Sequence, residues 1–257
     1  MPACISSPNP SSGRATLRGA LARDWRAMTA ASAFTVAIQL SVFFLARPAA
    51  GERGAVLACL AAGAVWVALA GACLAAGGDN WLSMLLRGGI VADASAVSLL
   101  VVWLVSDCVG LRAAAEIYVI YAGSALLGVA AAAGGRTGFG RSAAAICAAV
   151  AMMLALAGPF WIGGILKAAD HDTAKQIAAA AVRVNPFYSI TAAVYEKTGF
   201  AWNEAKVMYD RVRQIQDYAS ASPRWYSAPA IHAAAAALLA AISLARRPRR
   251  PSRRRQA

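Results

Sequence analysis

Ser124 and His232, which stand in two separate apolar segments, are the first candidates for chemistry in this chain. A serine acts as a nucleophile when a histidine about 3 Å away can take its proton. If both segments span a membrane, Ser124 lies about 12 residues, or roughly 18 Å, from the outer end of its segment. His232 lies only about 3 residues, or roughly 5 Å, from the outer end of its own. These depths separate the two side chains, so we predict no catalytic residue and no enzyme.

Acidic and amide side chains within apolar segments are the next candidates, because a charge inside a bilayer is costly and usually serves a path or a partner. Asp93 and Glu116 fall within about one helical turn of the ends of their predicted spans. This favours an interfacial position, and a polar contact that lines a path is the alternative. Gln39 lies deeper, so we expect it to be a hydrogen-bond partner between two helices rather than a substrate ligand.

The remaining polar motifs predict neither a metal site nor a cofactor site. His171 stands between Asp170 and Asp172, but adjacent residues do not share a helix face, which favours a solvated helix start. The loop GRTGFGRS at 135–142 is close to a phosphate-binding pattern, yet Arg141 replaces the required lysine and an apolar helix replaces the preceding strand. The 5 cysteines contain no Cys-x-x-Cys pair, so they indicate no zinc site.

The composition places the chain in a membrane. Hydrophobic residues make up 60% and charged residues only 14%, whereas soluble domains carry about 25% charged residues. Six apolar stretches are long enough to cross a hydrocarbon core of about 30 Å: 27–46, 54–77, 90–106, 112–133, 142–166 and 229–245. The segment NWLSMLLR at 80–87 is expected to lie in the interface before the third span. The sequence therefore predicts an all-α, polytopic transmembrane helix bundle of about six spans.

Basic residues orient these spans. The net charge of +13 is concentrated in the tails 1–26 and 246–257, and arginines also occupy the turns at 80–87 and 135–142. Because cytoplasmic loops are enriched in Lys and Arg, we predict a multi-pass protein of the cytoplasmic (inner) membrane with both termini in the cytoplasm. Orientation in the bilayer accounts for this positive charge, so no nucleic-acid partner is predicted. The alternative is that the last tail contacts lipid headgroups or RNA.

The segment 167–228, between the five-span region 27–166 and the sixth span 229–245, is predicted to be helical and extracytoplasmic. Asp170 or Asp172 is expected to cap one helix. Asn185 followed by Pro186 is typical of a second helix start, with a capping residue and then proline at the first position. A third helix is expected to begin near Asn203.

This layout resembles the permease subunits of ABC exporters, which have six spans, both ends inside and a helical outer segment between spans five and six. Members that move polysaccharides, lipids or drugs often carry an Asn-Pro before the last span, which here is Asn185-Pro186 in VNPFYSITAAVYEKTGF. The segment 167–228 is longer than in that family, and NWLSMLLR at 80–87 would take the place of its coupling helix. The resemblance implies an ATPase subunit in trans, a permease homodimer and no catalytic residue in this chain.

Two functions are consistent with these features. The first is a transporter or export-complex permease subunit without catalytic residues of its own. The alternative is a membrane scaffold or assembly protein that binds a partner through the segment 167–228.

Overall fold

The computed structural model describes residues 12–198 and 224–245, and this part of the chain is helical with no strand. The predicted helix near Asn203 and the tail 246–257 lie outside it. In chain order the elements are α1 (Ser12–Trp66), a π-helical segment (Val67–Gly71), α2 (Ala72–Ala76), α3 (Trp81–Val105), α4 (Leu111–Gly134), α5 (Gly138–Leu156), α6 (Gly158–Ala168), α7 (His171–Val184), α8 (Pro186–Thr198) and α9 (Ser227–Ala245). The prediction of an all-α polytopic bundle is confirmed.

The helix α1 folds back on itself at Gly51. The backbone there has φ 68° and ψ 178°, a combination essentially restricted to glycine. Trp66 donates from Nε1 to Thr35 Oγ1 over 2.8 Å, although residues 31 apart on a straight helix would be about 46 Å apart. Residues 25–50 and 52–76 are therefore two antiparallel arms, called here the first arm and the second arm.

Within the described residues, five helices are long and apolar enough to cross a membrane: Trp25–Ala76, Trp81–Val105, Leu111–Gly134, Gly138–Leu156 and Ser227–Ala245. The first of these contains both arms, so the described residues hold six candidate spans. The direction of α9 follows from its contacts with α4, because Gly123 lies against Pro229 and Ser243 Oγ donates to the Ala133 carbonyl over 3.1 Å. The helices α4 and α9 are thus parallel, and α9 ends on the side where the first arm begins.

The third span differs from the prediction. Asn80 caps α3, because its Oδ1 accepts from the Ser83 amide over 2.8 Å, and the helix then runs unbroken from Trp81 to Val105. The segment NWLSMLLR therefore forms the first turns of a spanning helix, and the prediction of a separate interfacial helix is wrong. The reason is local, since an extended Asn with a free side-chain oxygen is a strong helix start. Asp93 consequently lies near the middle of α3.

The predicted fifth span, 142–166, is divided between two helices. The helix α5 ends at Leu156 and α6 begins at Gly158, with Pro159 in its first turn. Proline has no amide hydrogen, so it breaks the hydrogen-bond ladder that would otherwise continue from α5. The residues after α5 are consequently free to turn into α6, α7 and α8.

Small residues bring the central helices close together. A side chain on Gly128 of α4 would meet the Ala72 Cβ of the second arm at 2.8 Å. A side chain on Gly88 of α3 would collide with Val129 of α4 and approach the Gly71 carbonyl to 3.2 Å. Such positions let helix backbones approach in a membrane, where van der Waals packing drives association. The helix α4 therefore lies at the centre of the bundle.

Replacing Gly51 by Ala tests the fold-back. A Cβ there meets no atom within 4 Å, so the cost arises from the backbone alone and should be about 1–3 kcal/mol. We expect a lower apparent unfolding midpoint in detergent. Gly164→Ala in α6 is the matched control, because a Cβ there is also unobstructed and Ala is the better helix former. Equal midpoints for the two variants would contradict the strained turn at Gly51.

Candidate functional site

The helices α7 and α8 form a broken pair that enters the bundle between α6 and α9. Their axes are bent by 71° at Asn185, which is the geometry of a broken span or a re-entrant loop. At the start of α7, Asp170 Oδ1 accepts from the amides of Thr173 (3.0 Å) and Asp172 (3.2 Å). The predicted cap at Asp170 is confirmed. His171 and Asp172 are exposed, and the described residues contain no group of three that could hold a metal ion.

The helix α8 belongs to the core of the bundle. Tyr188, Ile190 and Val194 are at most 1% exposed, and Ile190 and Val194 pack in one cluster with Ile117 and Ile120 of α4. The sequence predicts a segment outside the membrane region here, whereas α8 packs between the spanning helices. The helix α8 is therefore part of the bundle.

Asn185 holds the break between α7 and α8 in place. It is 2% exposed, its Oδ1 accepts from the Phe187 amide, and its Nδ2 donates to the Ala155 carbonyl at the end of α5, each over 2.8 Å. A helix break at membrane depth is tolerated only where protein groups satisfy the freed backbone. The predicted helix start at Asn185-Pro186 is confirmed. Its tertiary role, joining α8 to α5, was not predicted.

Ser124 and His232 lie side by side, and the separation predicted for them is wrong. The distance between Ser124 Oγ and His232 Nδ1 is 3.2 Å, and both residues are 3% exposed. The depth estimate failed because α9 begins inside the bundle. Pro229, two residues into α9, is level with Gly123, twelve residues into α4, so the start of α9 is about 15 Å deeper than that of α4.

The same histidine reaches a third element, because its ring lies near the backbone of Val184, the last residue of α7. A serine, a histidine and a group that orients the histidine are the usual parts of a nucleophilic site. Hydrolysis also needs backbone or side-chain donors for the developing oxyanion.

The first amides of α9 are not available as such donors. The amides of Ser227 and Ala230 donate to the carbonyls of Arg224 and Tyr226, and the Ala228 amide donates to Ser189 Oγ. Ser124 Oγ is, in addition, 3.1 Å from the Ile120 carbonyl of its own helix. The geometry supports a polar link between α4, α7 and α9, and the absence of a catalytic residue stays a prediction.

Asp93 occupies a position that differs from its predicted one. Its Oδ1 accepts from Tyr118 Oη over 2.8 Å, and its side chain is exposed in the middle of α3. The interfacial position is therefore wrong, because α3 begins at Trp81. Asp93 and Tyr118 border a cavity of about 470 Å³, called here the lateral groove, which is lined by Met28, Leu85, Leu86, Gly89, Ile90, Ala92, Asp93, Tyr118, Val119, Ala122, Gly123, Ala125, Leu126, Val129, Pro229 and Ala233.

The remaining polar candidates are Gln39, Glu116 and the loop at 135–142. Gln39 is 1% exposed and donates from Nε2 to Ser95 Oγ of α3 over 2.7 Å, so it joins two helices as predicted. Glu116 accepts from Arg112 over 2.9 Å near the start of α4. The loop at 135–142 is a turn after α4, and Thr137 Oγ1 caps α5 by accepting from the Gly140 amide over 3.0 Å.

Two residues of the site were missed in the sequence. Tyr118 has no distinguishing neighbour along the chain, since its partner Asp93 is on another helix. Ser189 accepts from the Ala228 amide and donates to the Arg224 carbonyl over 3.3 Å, which ties α8 to the start of α9. Only the packing of the helices reveals either role.

Comparisons with protein-family models, with curated protein sequences and with solved structures returned no match for this chain. The function proposed below therefore rests on the geometry of the chain and on its sequence.

Replacing Asn185 by Ala tests the junction. The change removes two hydrogen bonds of a buried side chain, and each is worth about 0.5–1.5 kcal/mol. Asp170→Ala is the matched control, because Asp170 caps α7 in an exposed position where loss of a cap costs about 1 kcal/mol. We expect a clearly lower apparent unfolding midpoint for Asn185→Ala than for Asp170→Ala. A larger effect of Asp170→Ala would contradict the role of Asn185.

Proposed function

We propose that this integral membrane protein is the permease subunit of an export complex and works with an ATPase subunit supplied in trans. The broken pair α7–α8 is the observation that carries this proposal. Its two helices are bent by 71°, and the junction at Asn185 is buried against α5.

A break between two helices can serve transport in a membrane protein. Discontinuous helices near the interior are typical of transporters, where they form substrate sites and allow one part of the bundle to move against another. A protein that only anchors or assembles others has no need of non-helical backbone at that depth. The polar link from His232 to Val184 and Ser124 would couple such movement to α4, the central helix.

The lateral groove supports the same function. Ionisable residues inside spans mark paths for substrates or ions, and Asp93 borders a cavity within the range of about 300–1,000 Å³ that ligand sites occupy. A transported molecule would have access to this groove from the lipid, because Leu85 and Val119 on its wall are 37% and 45% exposed.

The orientation follows from charge. Arg87, Arg136 and Arg141 lie at or near the turns on the side where α9 ends, and positively charged turns face the cytoplasm. We assign this side to the cytoplasm and the chain to the cytoplasmic (inner) membrane, with both termini inside. A homodimer would form through α5, whose Ile146, Val150 and Leu154 are more than half exposed on one face.

The alternative, a scaffold that binds a partner through the segment 167–228, has less support. The apolar side chains of α8 pack against the bundle, so they are not offered to a partner. The part of that segment at 199–223 lies outside the described residues and adds no argument for it.

Co-purification tests the proposal. The tagged full chain, solubilised in mild detergent, should bring down an ATPase in stoichiometric amount, identified by mass spectrometry. Asp79→Arg in the turn before α3 should reduce the recovered ATPase, because this turn is on the proposed cytoplasmic side. Asp107→Arg in the turn before α4 is the matched control, since Asp107 is equally exposed at the other end. Recovery of the chain without any ATPase would contradict the proposal.

A further inference from the structure

We propose that the lateral groove binds a cationic amphiphile, with its ammonium group on Asp93 and its alkyl chain along α3 and α4. The inference rests on the proposed function only in taking this amphiphile as the transported substrate. Binding itself is argued from the groove.

The groove has an apolar part and a polar end. Along α3 it extends from Leu85 to Asp93, which is about 12 Å. The helix α4 runs antiparallel to α3, so Val129 lies beside Gly88 and Tyr118 lies towards the other end, beside Asp93. The groove therefore reaches from one end of the bundle to its middle, and its polar groups are at the deep end.

The carboxylate of Asp93, at the deep end of the groove, favours a positively charged ligand. The phenol of Tyr118 donates one hydrogen bond to Asp93 Oδ1, which leaves the second carboxylate oxygen without a donor in the described part of the chain. Within that part, the acidic side chains Glu52 and Glu116 each pair with an arginine, whereas Asp93 pairs with no cation. A carboxylate in an apolar setting is stable only when a charge or a set of donors compensates it.

The dimensions favour a lipid-like molecule over the helix of a partner protein. A spanning helix would contact the bundle over its full thickness of about 30 Å, but the groove covers only about half of it. An alkyl chain of about 10–14 carbons fits a length of 12 Å or somewhat more. The small residues Gly89 and Ala122 leave room for such a chain. The wall residues Leu85 and Val119 are exposed, so the groove is open at its side.

Photolabelling of the full chain in nanodiscs of zwitterionic lipid tests this inference. The probe is tetradecylamine with a diazirine at the end of its chain, and tetradecanol with the same diazirine is its neutral counterpart. We expect saturable labelling of α3 and α4 by the amine, with an apparent affinity about tenfold or more above that of the alcohol, because a charge-assisted hydrogen bond is added. Equal affinities would overturn the proposal and leave a groove for ordinary acyl chains.

Three variants separate charge from folding. Asp93→Asn should remove the preference for the amine while labelling by the alcohol remains, which shows that the groove is intact. Tyr118→Phe keeps the carboxylate and should keep the preference. Glu116→Gln, which alters an acid already paired with Arg112, is the matched control and should change nothing. If Asp93→Asn still preferred the amine over the alcohol, the proposal would be overturned. It would also be overturned if the amine labelled the groove only after a co-purifying chain was removed, because the groove would then belong to that chain.

This experiment does not depend on an ATPase. If an ATPase is recovered but the amine does not bind, the permease function stands and a cationic substrate in this groove is excluded. Amine binding without an ATPase would keep the site and exclude the export complex.

Discussion

The amide side chain of Asn185 makes two hydrogen bonds in a position that is only 2% exposed to solvent. Its Oδ1 accepts from the Phe187 amide at the start of α8, and its Nδ2 donates to the Ala155 carbonyl in the last turn of α5. Inside a bilayer, an unpaired backbone group costs several kcal/mol, so a helix can break there only if the protein completes the hydrogen bonds. The two hydrogen bonds hold the bend between α7 and α8, which directs α8 into the bundle.

The position of α9 follows from the same constraint. Because α8 packs beside α4, the last helix begins deeper, and Ser189 accepts from the Ala228 amide in its first turn. This shift brings His232 level with Ser124 and within reach of Val184. The last helix also forms one wall of the lateral groove through Pro229 and Ala233. The broken pair, the polar link and the groove are thus parts of one arrangement around α4.

The sequence was informative where a property belongs to one helix. Apolar length predicted the bundle, and the Asn-Pro pair predicted the start of α8. The sequence failed where a property arises between elements. Asp93 was predicted to be interfacial because the start of α3 at Asn80 was not recognised. Ser124 was predicted to be distant from His232 because the deeper start of α9, beside α8, could not be read from the chain. Gln39 was a partial exception, because an isolated amide in an apolar span needs some partner, although nothing along the chain identified Ser95.

The burial of α8 is the central claim, and cysteine accessibility in intact membranes tests it most directly. In a chain whose native cysteines are replaced by serine or alanine, Ile190→Cys should resist a membrane-impermeant maleimide until the protein is denatured, because Ile190 is 1% exposed. Asp172→Cys, at the exposed start of α7, should react at once from the outer side. Equal reactivity of both positions in the native membrane would show that α8 is a free extramembrane helix and would contradict this account.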